Sequence, residues 1–144
     1  MKIQLATSET DILKCWQAIQ ALRPHLQQID YLPTVQQMIG EGYKLAYIEQ
    51  DERAVSIIGF RYLQYLFNGK HIYIDDLSTL PDSRGKGYAG KLLDYVFNIA
   101  REEGYKTVTL DSGHQRFDAH RLYLNKGFVI ASHHFVKTLT NDES

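Results

Sequence analysis

Leu77-Ser78-Thr79-Leu80-Pro81-Asp82-Ser83-Arg84-Gly85-Lys86-Gly87-Tyr88-Ala89-Gly90 is the stretch on which the fold turns, because the patterning of the chain changes across it. Upstream, His71 to Thr79 reads as a strand. Downstream, Ala89, Leu92, Leu93, Val96 and Ala100 recur at helical spacing, and Gly104 stands where a helix-ending glycine belongs. Between them the glycines let the backbone turn tightly and bring its N–H groups close to a ligand. A helix N-terminus follows at once and adds unsatisfied donors and partial positive charge. Arg84 and Lys86 add full charges, so the loop is a candidate phosphate site.

The same window spells G-x-G-x-x-G as Gly85, Gly87 and Gly90, and Asp111 closes the next strand. A dinucleotide fold, however, sets its glycine turn directly after the first strand. Here Leu80 to Arg84 intervene, and the remaining chain is too short for further βα units. A P-loop needs G-x-x-x-x-G-K-[ST], which is absent.

Working outward, Ile3 to Ala6 reads as a short first strand. Ser8 to Asp11 reads as a capping start for a helix carrying Ile12, Leu13, Trp16, Ile19 and Leu22, ended by Arg23-Pro24. A short second helix is expected after Thr34, with Val35, Met38 and Ile39 on one face and Gly40 and Gly42 closing it. Tyr43 to Glu49, Ala54 to Leu66 and His71 to Thr79 read as an antiparallel meander, with Asn68-Gly69 as the hairpin signal. After the glycine-loop helix come a strand over Lys106 to Asp111, a short helix capped by Asp118 and closed by Gly127, a final strand over Phe128 to Leu139, and a polar tail. The expectation is one mixed α/β domain over residues 1–144.

Formal net charge is -1 with the two signs interleaved, so no basic stripe invites nucleic acid. The single cysteine, Cys15, excludes an intramolecular disulfide and reads as a packed thiol on the buried helix face. No apolar run suits a signal peptide or a membrane span, which points to the cytoplasm. His120, His133 and His134 show no metal-ligand spacing, and no metal is expected.

The loop resembles the acetyl-CoA motif of the GNAT superfamily, [RQ]-x-x-G-x-[GA], matched by Arg84, Gly87 and Ala89. Tyr123 to Phe128 is similar to the family's Y-x-x-x-G-F signature. Residues 72–139 carry the resemblance, while the first 70 fit only in element order. It implies a central mixed, mostly antiparallel sheet with helices on both faces and a splayed strand pair that receives the cofactor. It also implies that Arg84, Gly85, Lys86, Gly87, Tyr88, Ala89 and Gly90 hold the pyrophosphate of coenzyme A. Backbone groups of Leu77, Ser78 and Thr79 would meet the pantetheine arm. A small-molecule amine as acceptor and a homodimer are the further expectations.

Within that resemblance Tyr123 is the general-acid position, a phenol suited to protonating a departing thiolate. Its alternative is a buried aromatic with a hydrogen-bonded hydroxyl. Asp75 and Asp76 are the carboxylates for the amine. Adjacent strand residues face opposite ways, so only one enters a given cleft unless a bulge shifts the alternation. Asp76, next to the Leu77 segment, is the one chosen. Gln115 to Tyr123 resembles the R-x-D-A-H-R-x-Y stretch of some small-amine members, including aminoalkylphosphonate N-acetyltransferase, which draws Arg116 or His120 into the cofactor or acceptor site. Two other readings stay open: a non-catalytic acetyl-CoA-binding module, and an acetyltransferase of peptide or protein amines.

Overall fold

The computed structural model describes residues 2–140, and the chain divides into two compact units, Met1–Leu110 and Asp111–Ser144. The first holds a five-stranded sheet in the order β1-β2-β3-β4-β5, formed by β1 (Ile3–Leu5), β2 (Lys44–Gln50), β3 (Arg53–Tyr65), β4 (Gly69–Thr79) and β5 (Thr107–Leu110). The first four strands pair antiparallel, β2–β3 and β3–β4 through short turns and β1–β2 across three intervening helices, and β5 pairs parallel to β4 after a helical crossover. Asp51 and Glu52 both take positive φ in the β2–β3 turn, at 52° and 64°, so two ordinary residues supply a turn usually given to glycine or asparagine. The β3–β4 hairpin closes on a three-residue loop, with Tyr65 opposite Gly69 and Gly69 at φ 71°, rather than on a two-residue Asn-Gly turn.

Helices cover both faces. On one lie α1 (Glu9–Lys14), α2 (Trp16–Leu22) and α3 (Gln28–Gly40); on the other lies α4 (Tyr88–Glu103). The single helix expected from Ser8 onward is two. Ser8 caps α1 as anticipated, its Oγ accepting from the Asp11 amide at 3.1 Å. The Cys15 amide then bonds back to the Ile12 carbonyl, a three-residue step that breaks the α ladder. Cys15 is fully buried and its thiol is pushed up to about 12 by desolvation, as expected of a packing residue.

The second helix begins well before the expected Thr34, at Gln28, and Pro33 lies inside it. Pro33 is exposed, while Tyr31 and Val35 on either side are buried, and the Tyr31 hydroxyl donates to the Ile12 carbonyl at 2.6 Å. That anchoring offsets the ladder bond that the proline forfeits.

α4 follows the pattern expected of it. Leu92, Leu93, Val96 and Ala100 are buried, Tyr95 meets Phe60 of β3 edge-on, and Gly104 caps the helix at φ 79°.

In the second unit, α5 (Phe117–Asn125) has Arg116 at its N-cap position, so Asp118 lies in its first turn and does not cap it. A carboxylate there still complements the helix dipole. Gly127 closes it at φ 93°. The strand expected over Phe128 to Leu139 is not formed: residues 128–140 carry no regular element. β-branched and aromatic residues favour extended backbone, but a strand exists only through a ladder, and the described sheet ends at β5. The expected tail past Thr140 lies outside the described residues. No described helix is long and apolar enough to cross a membrane, and no metal-binding cluster of His, Cys, Asp or Glu occurs among the described residues.

Candidate active site

β4 carries the two carboxylates, and its register explains how. Asp76 faces Gly59 and Ile74 faces Phe60, so Asp75 is an extra residue with no partner of its own on β3. This is a β-bulge, and it cancels one step of the strand's alternation. Both aspartates therefore reach the side of the sheet that carries Tyr43 and Arg61. Asp75 Oδ2 accepts from Arg61 Nε at 2.8 Å. Asp76 Oδ1 accepts from Arg23 Nε and Nη2 at 3.2 and 3.1 Å, and its Oδ2 accepts from the Tyr43 hydroxyl at 2.7 Å. Arg23 also donates to the Asp75 carbonyl at 2.9 Å. The Arg61 guanidinium lies 5.3 Å from the centre of the Tyr43 ring.

Burial raises the Asp75 carboxyl above its ordinary value, against the opposing pull of Arg61, and its Oδ1 is buried without a hydrogen bond. Burial, and then the neighbouring Asp76, hold the Tyr43 phenol well above its ordinary value, so it stays a donor.

Above Asp76 lies a cavity of about 240 Å³. Ile19 of α2 and Tyr31, Val35 and Met38 of α3 wall it, with Leu26 from the connecting segment. Tyr43 and Asp76 line it from the sheet, and Arg23 stands beside them. Asp75 is not among the described lining residues. Arg23, Tyr43, Arg61 and Gly59 were not singled out in the sequence. In the sequence Arg23 is only the residue before a proline, and a partner 53 positions further along leaves no local signal.

The glycine loop sits at the far end of β4. The described pairing of β4 with β5 stops at Ile74 opposite Leu110, and β4 continues through Leu77, Ser78 and Thr79 beyond it. β5 itself ends at Leu110, so Leu77 to Thr79, the segment in which the resemblance places a splay, have no described partner on that side. Gly85 and Gly87 take φ 78° and 81°, a conformation that other residues adopt only with strain, and a Cβ at either would meet nothing within 4 Å. Open space over the loop and exposed Arg84 and Lys86 fit a bound pyrophosphate. So does the N-terminus of α4, which has no side-chain cap and no acidic residue in its first turn. Tyr88, by contrast, is buried, and Ala89 and Gly90 are half-buried.

In the second unit, Tyr123 packs edge-on against Phe128, with ring centres 5.8 Å apart. Desolvation raises its phenol above the ordinary value, and the positive charge of Arg116 partly opposes this. Arg116 itself is exposed at the start of α5. His120 Nε2 lies 2.9 Å from the Gly113 carbonyl, which gives that histidine a local structural partner.

Residues 11–128 match the family model described as Acetyltransferase (GNAT) family. This chain belongs to the GNAT acetyltransferase family. As a GNAT chain it is an N-acetyltransferase, and its relatives agree. It is 35% identical over 133 residues to the uncharacterized N-acetyltransferase YhdJ of Bacillus subtilis strain 168, covering 91% of this chain and 94% of the other. It is 35% identical over 66 residues to the aminoalkylphosphonate N-acetyltransferase of Salmonella typhimurium, covering 46% of this chain and 43% of that one. Among solved structures it is similar to AAC(6')-Iy in complex with the bisubstrate analog CoA-S-monomethyl-acetylneamine. There the TM-score is 0.82 and the identity 13%, over 96% of this chain and 97% of that one, a likeness of fold. The GNAT chain thus has the mixed, mostly antiparallel sheet with helices on both faces that its motifs implied.

Proposed function

We propose that this GNAT chain, acting as one domain over its 144 residues, transfers acetyl from acetyl-CoA to the primary amine of a small molecule by direct attack in a ternary complex. The observation that carries the reading is Asp76 at the edge of a cavity of about 240 Å³, on the strand that runs on to the glycine loop.

Acetyl-CoA supplies an activated thioester carbonyl. The Arg84 to Gly90 loop binds its pyrophosphate through backbone N–H groups and the two basic side chains, and Leu77 to Thr79 offer main-chain groups to the pantetheine arm. Asp76 attracts the protonated amine, orients it, and takes its proton directly or through one water. The freed nitrogen lone pair forms the new C–N bond as the C–S bond breaks, and the nitrogen's second proton passes to water as the amide forms. Tyr123 gives a proton to the leaving sulfur and regains one from water. A main-chain N–H near Leu77 to Thr79 polarises the carbonyl oxygen. Asp75, off the cavity and tied to Arg61, sets the field around Asp76 and holds the bulge. No side chain is assigned as an acyl acceptor, so no covalent enzyme intermediate forms.

Release of free coenzyme A, followed with a thiol-reactive dye and confirmed by the mass of the acetylated product, tests the transferase. Amine-dependent release is expected from the wild type. Tyr123→Phe is expected to lower kcat by about a hundredfold, the usual scale for losing a general acid. Because the Tyr123 phenol is held above its ordinary value of 10.0, it remains protonated where a free phenol is half ionised, and kcat of the wild type should stay level through that pH. A decline in kcat centred well below it, or unchanged kcat in the variant, would count against Tyr123.

Gly87→Val tests the loop. A β-branched residue at φ 81° costs about 1–2 kcal/mol of backbone strain and moves the donors. Calorimetry is expected to show coenzyme A binding lost with circular dichroism unchanged. Retained binding would remove the loop from the site.

A further inference from the structure

The cavity beside Asp76 is specific about what it can hold. Its inner wall is Ile19, Leu26, Val35 and Met38 with the rings of Tyr31 and Tyr43. Both phenols that face it have their hydroxyls engaged, Tyr31 with the Ile12 carbonyl and Tyr43 with Asp76. The interior therefore offers apolar surface and a single charged anchor, Asp76. A hydroxyl or phosphonate buried against this apolar wall finds no partner there, and burying one unpaired is costly. Arg23 is the one lysine or arginine among the described lining residues, and its positive charge is already balanced by Asp76, with Nε and Nη2 held by Asp76 and the Asp75 carbonyl. The remaining polar lining, Gln27, Asp30, Thr34 and His25, is exposed at the rim. Asp30 there adds a second negative charge, which favours a cation at the mouth and disfavours an anion.

Size narrows the occupant further. An apolar cavity of about 150 Å³ takes a benzene ring, so at the same ratio 240 Å³ takes about ten non-hydrogen atoms. That is one ring, or one branched aliphatic group, with a short arm and an amine. A multi-ring aminosugar exceeds it.

We propose that the acceptor is a monoamine carrying one compact apolar group, aromatic or branched aliphatic, seated among α2, α3 and Tyr43 with its nitrogen at Asp76. This rests on the transferase reading above and names the substrate class of that same site.

The test pairs turnover with binding. Values of kcat/KM are measured for ethylamine, butylamine, hexylamine, phenethylamine, 2-aminoethylphosphonate and an aminoglycoside. Binding of phenethylamine alone is followed by ligand-observed NMR. Each added methylene is expected to raise kcat/KM about fourfold, which sets phenethylamine at least about a hundredfold above the phosphonate. Thr34→Trp fills the cavity from its exposed wall and Met38→Trp from a half-buried position; either should lower the phenethylamine-to-ethylamine ratio about tenfold or more.

Turnover that favours the phosphonate or the aminoglycoside, or is flat across the alkyl series, overturns this inference and leaves the transferase standing. Binding of phenethylamine that Thr34→Trp abolishes, without acetyl transfer to any amine, upholds the cavity's selectivity and overturns the transferase. Neither binding nor transfer overturns both.

Discussion

Replacing Asp76 by asparagine is expected to lower kcat/KM about a hundredfold to ten-thousandfold while leaving the fold in place. The exchange keeps the shape of the side chain. Its carbonyl oxygen can still accept from Arg23, and its amide can still donate to the Tyr43 oxygen, so the hydrogen bonds now read at 2.7 to 3.2 Å need not break. What is removed is the negative charge that draws the amine and the basic oxygen that takes its proton. Asp75→Asn is the matched control. It sits one residue away, bonds to Arg61 and does not line the cavity, so a loss of no more than about tenfold is expected from its indirect role. Steady-state kinetics on the two variants separates them. Equal losses would assign the bulge as a unit, and a greater loss at Asp75 would reverse the roles proposed for the pair.

Gly59→Ala is expected to be the most damaging single methyl group in the sheet. A Cβ there would fall on the hydroxyl and ring of Tyr43, whose side chain is almost wholly buried. Tyr43 must then move, and it can do so only by giving up its hydrogen bond to Asp76. Overpacking and the lost buried hydrogen bond together cost on the order of 3 kcal/mol, or roughly 10 °C in Tm for a chain of this length. Thermal unfolding measures it. Combining the substitution with Tyr43→Ala should cost clearly less than the two single changes added together, because truncating the tyrosine removes the clash. Strict additivity would show that Gly59 and Tyr43 do not meet as described.

The sequence revealed the parts of this protein whose cause is local. Gly85, Gly87, Gly104 and Gly127 all take positive φ, and the turn or helix end at each can be read from the residue itself. The helix after the loop was legible because its buried positions fall on one stripe. Ser8 announced a helix start through its own hydroxyl. What escaped depends on partners far along the chain. The sequence suggests a helix only after Thr34, yet α3 runs from Gln28 with Pro33 inside it, held by Tyr31 and Val35 on either side. The break at Cys15 turns on one amide bonding three residues back instead of four, which side-chain spacing does not encode. Residues 128–140 hold the β-prone runs Phe128-Val129-Ile130 and Phe135-Val136, which suggest a strand, but a ladder needs a neighbour that composition cannot supply.

The candidate site divides along the same line. Asp75, Asp76 and the Arg84 to Gly90 loop were visible as types of residue in order. Arg23 reaches Asp76 from 53 positions away and Tyr43 from 33, so the clamp around the carboxylate exists only once the sheet has formed. The choice between the two aspartates was also beyond local reading, since it turned on whether the strand kept its alternation.

The extra residue in β4 has a consequence for how this strand can change. A strand is a two-stroke pattern, and Asp75 inserts half a cycle, so everything from Asp76 onward runs in antiphase to His71 through Ile74. Because Asp75 has no partner on β3, its loss would close the bulge and leave the flanking pairs as they are, Ile74 against Phe60 and Asp76 against Gly59 beside Tyr43. A residue lost within the paired run from His71 to Ile74 would instead throw that run out of phase with β3. The length of this strand is therefore free to vary at the bulge and fixed on either side of it, so the spare carboxylate is the one residue the ladder could give up.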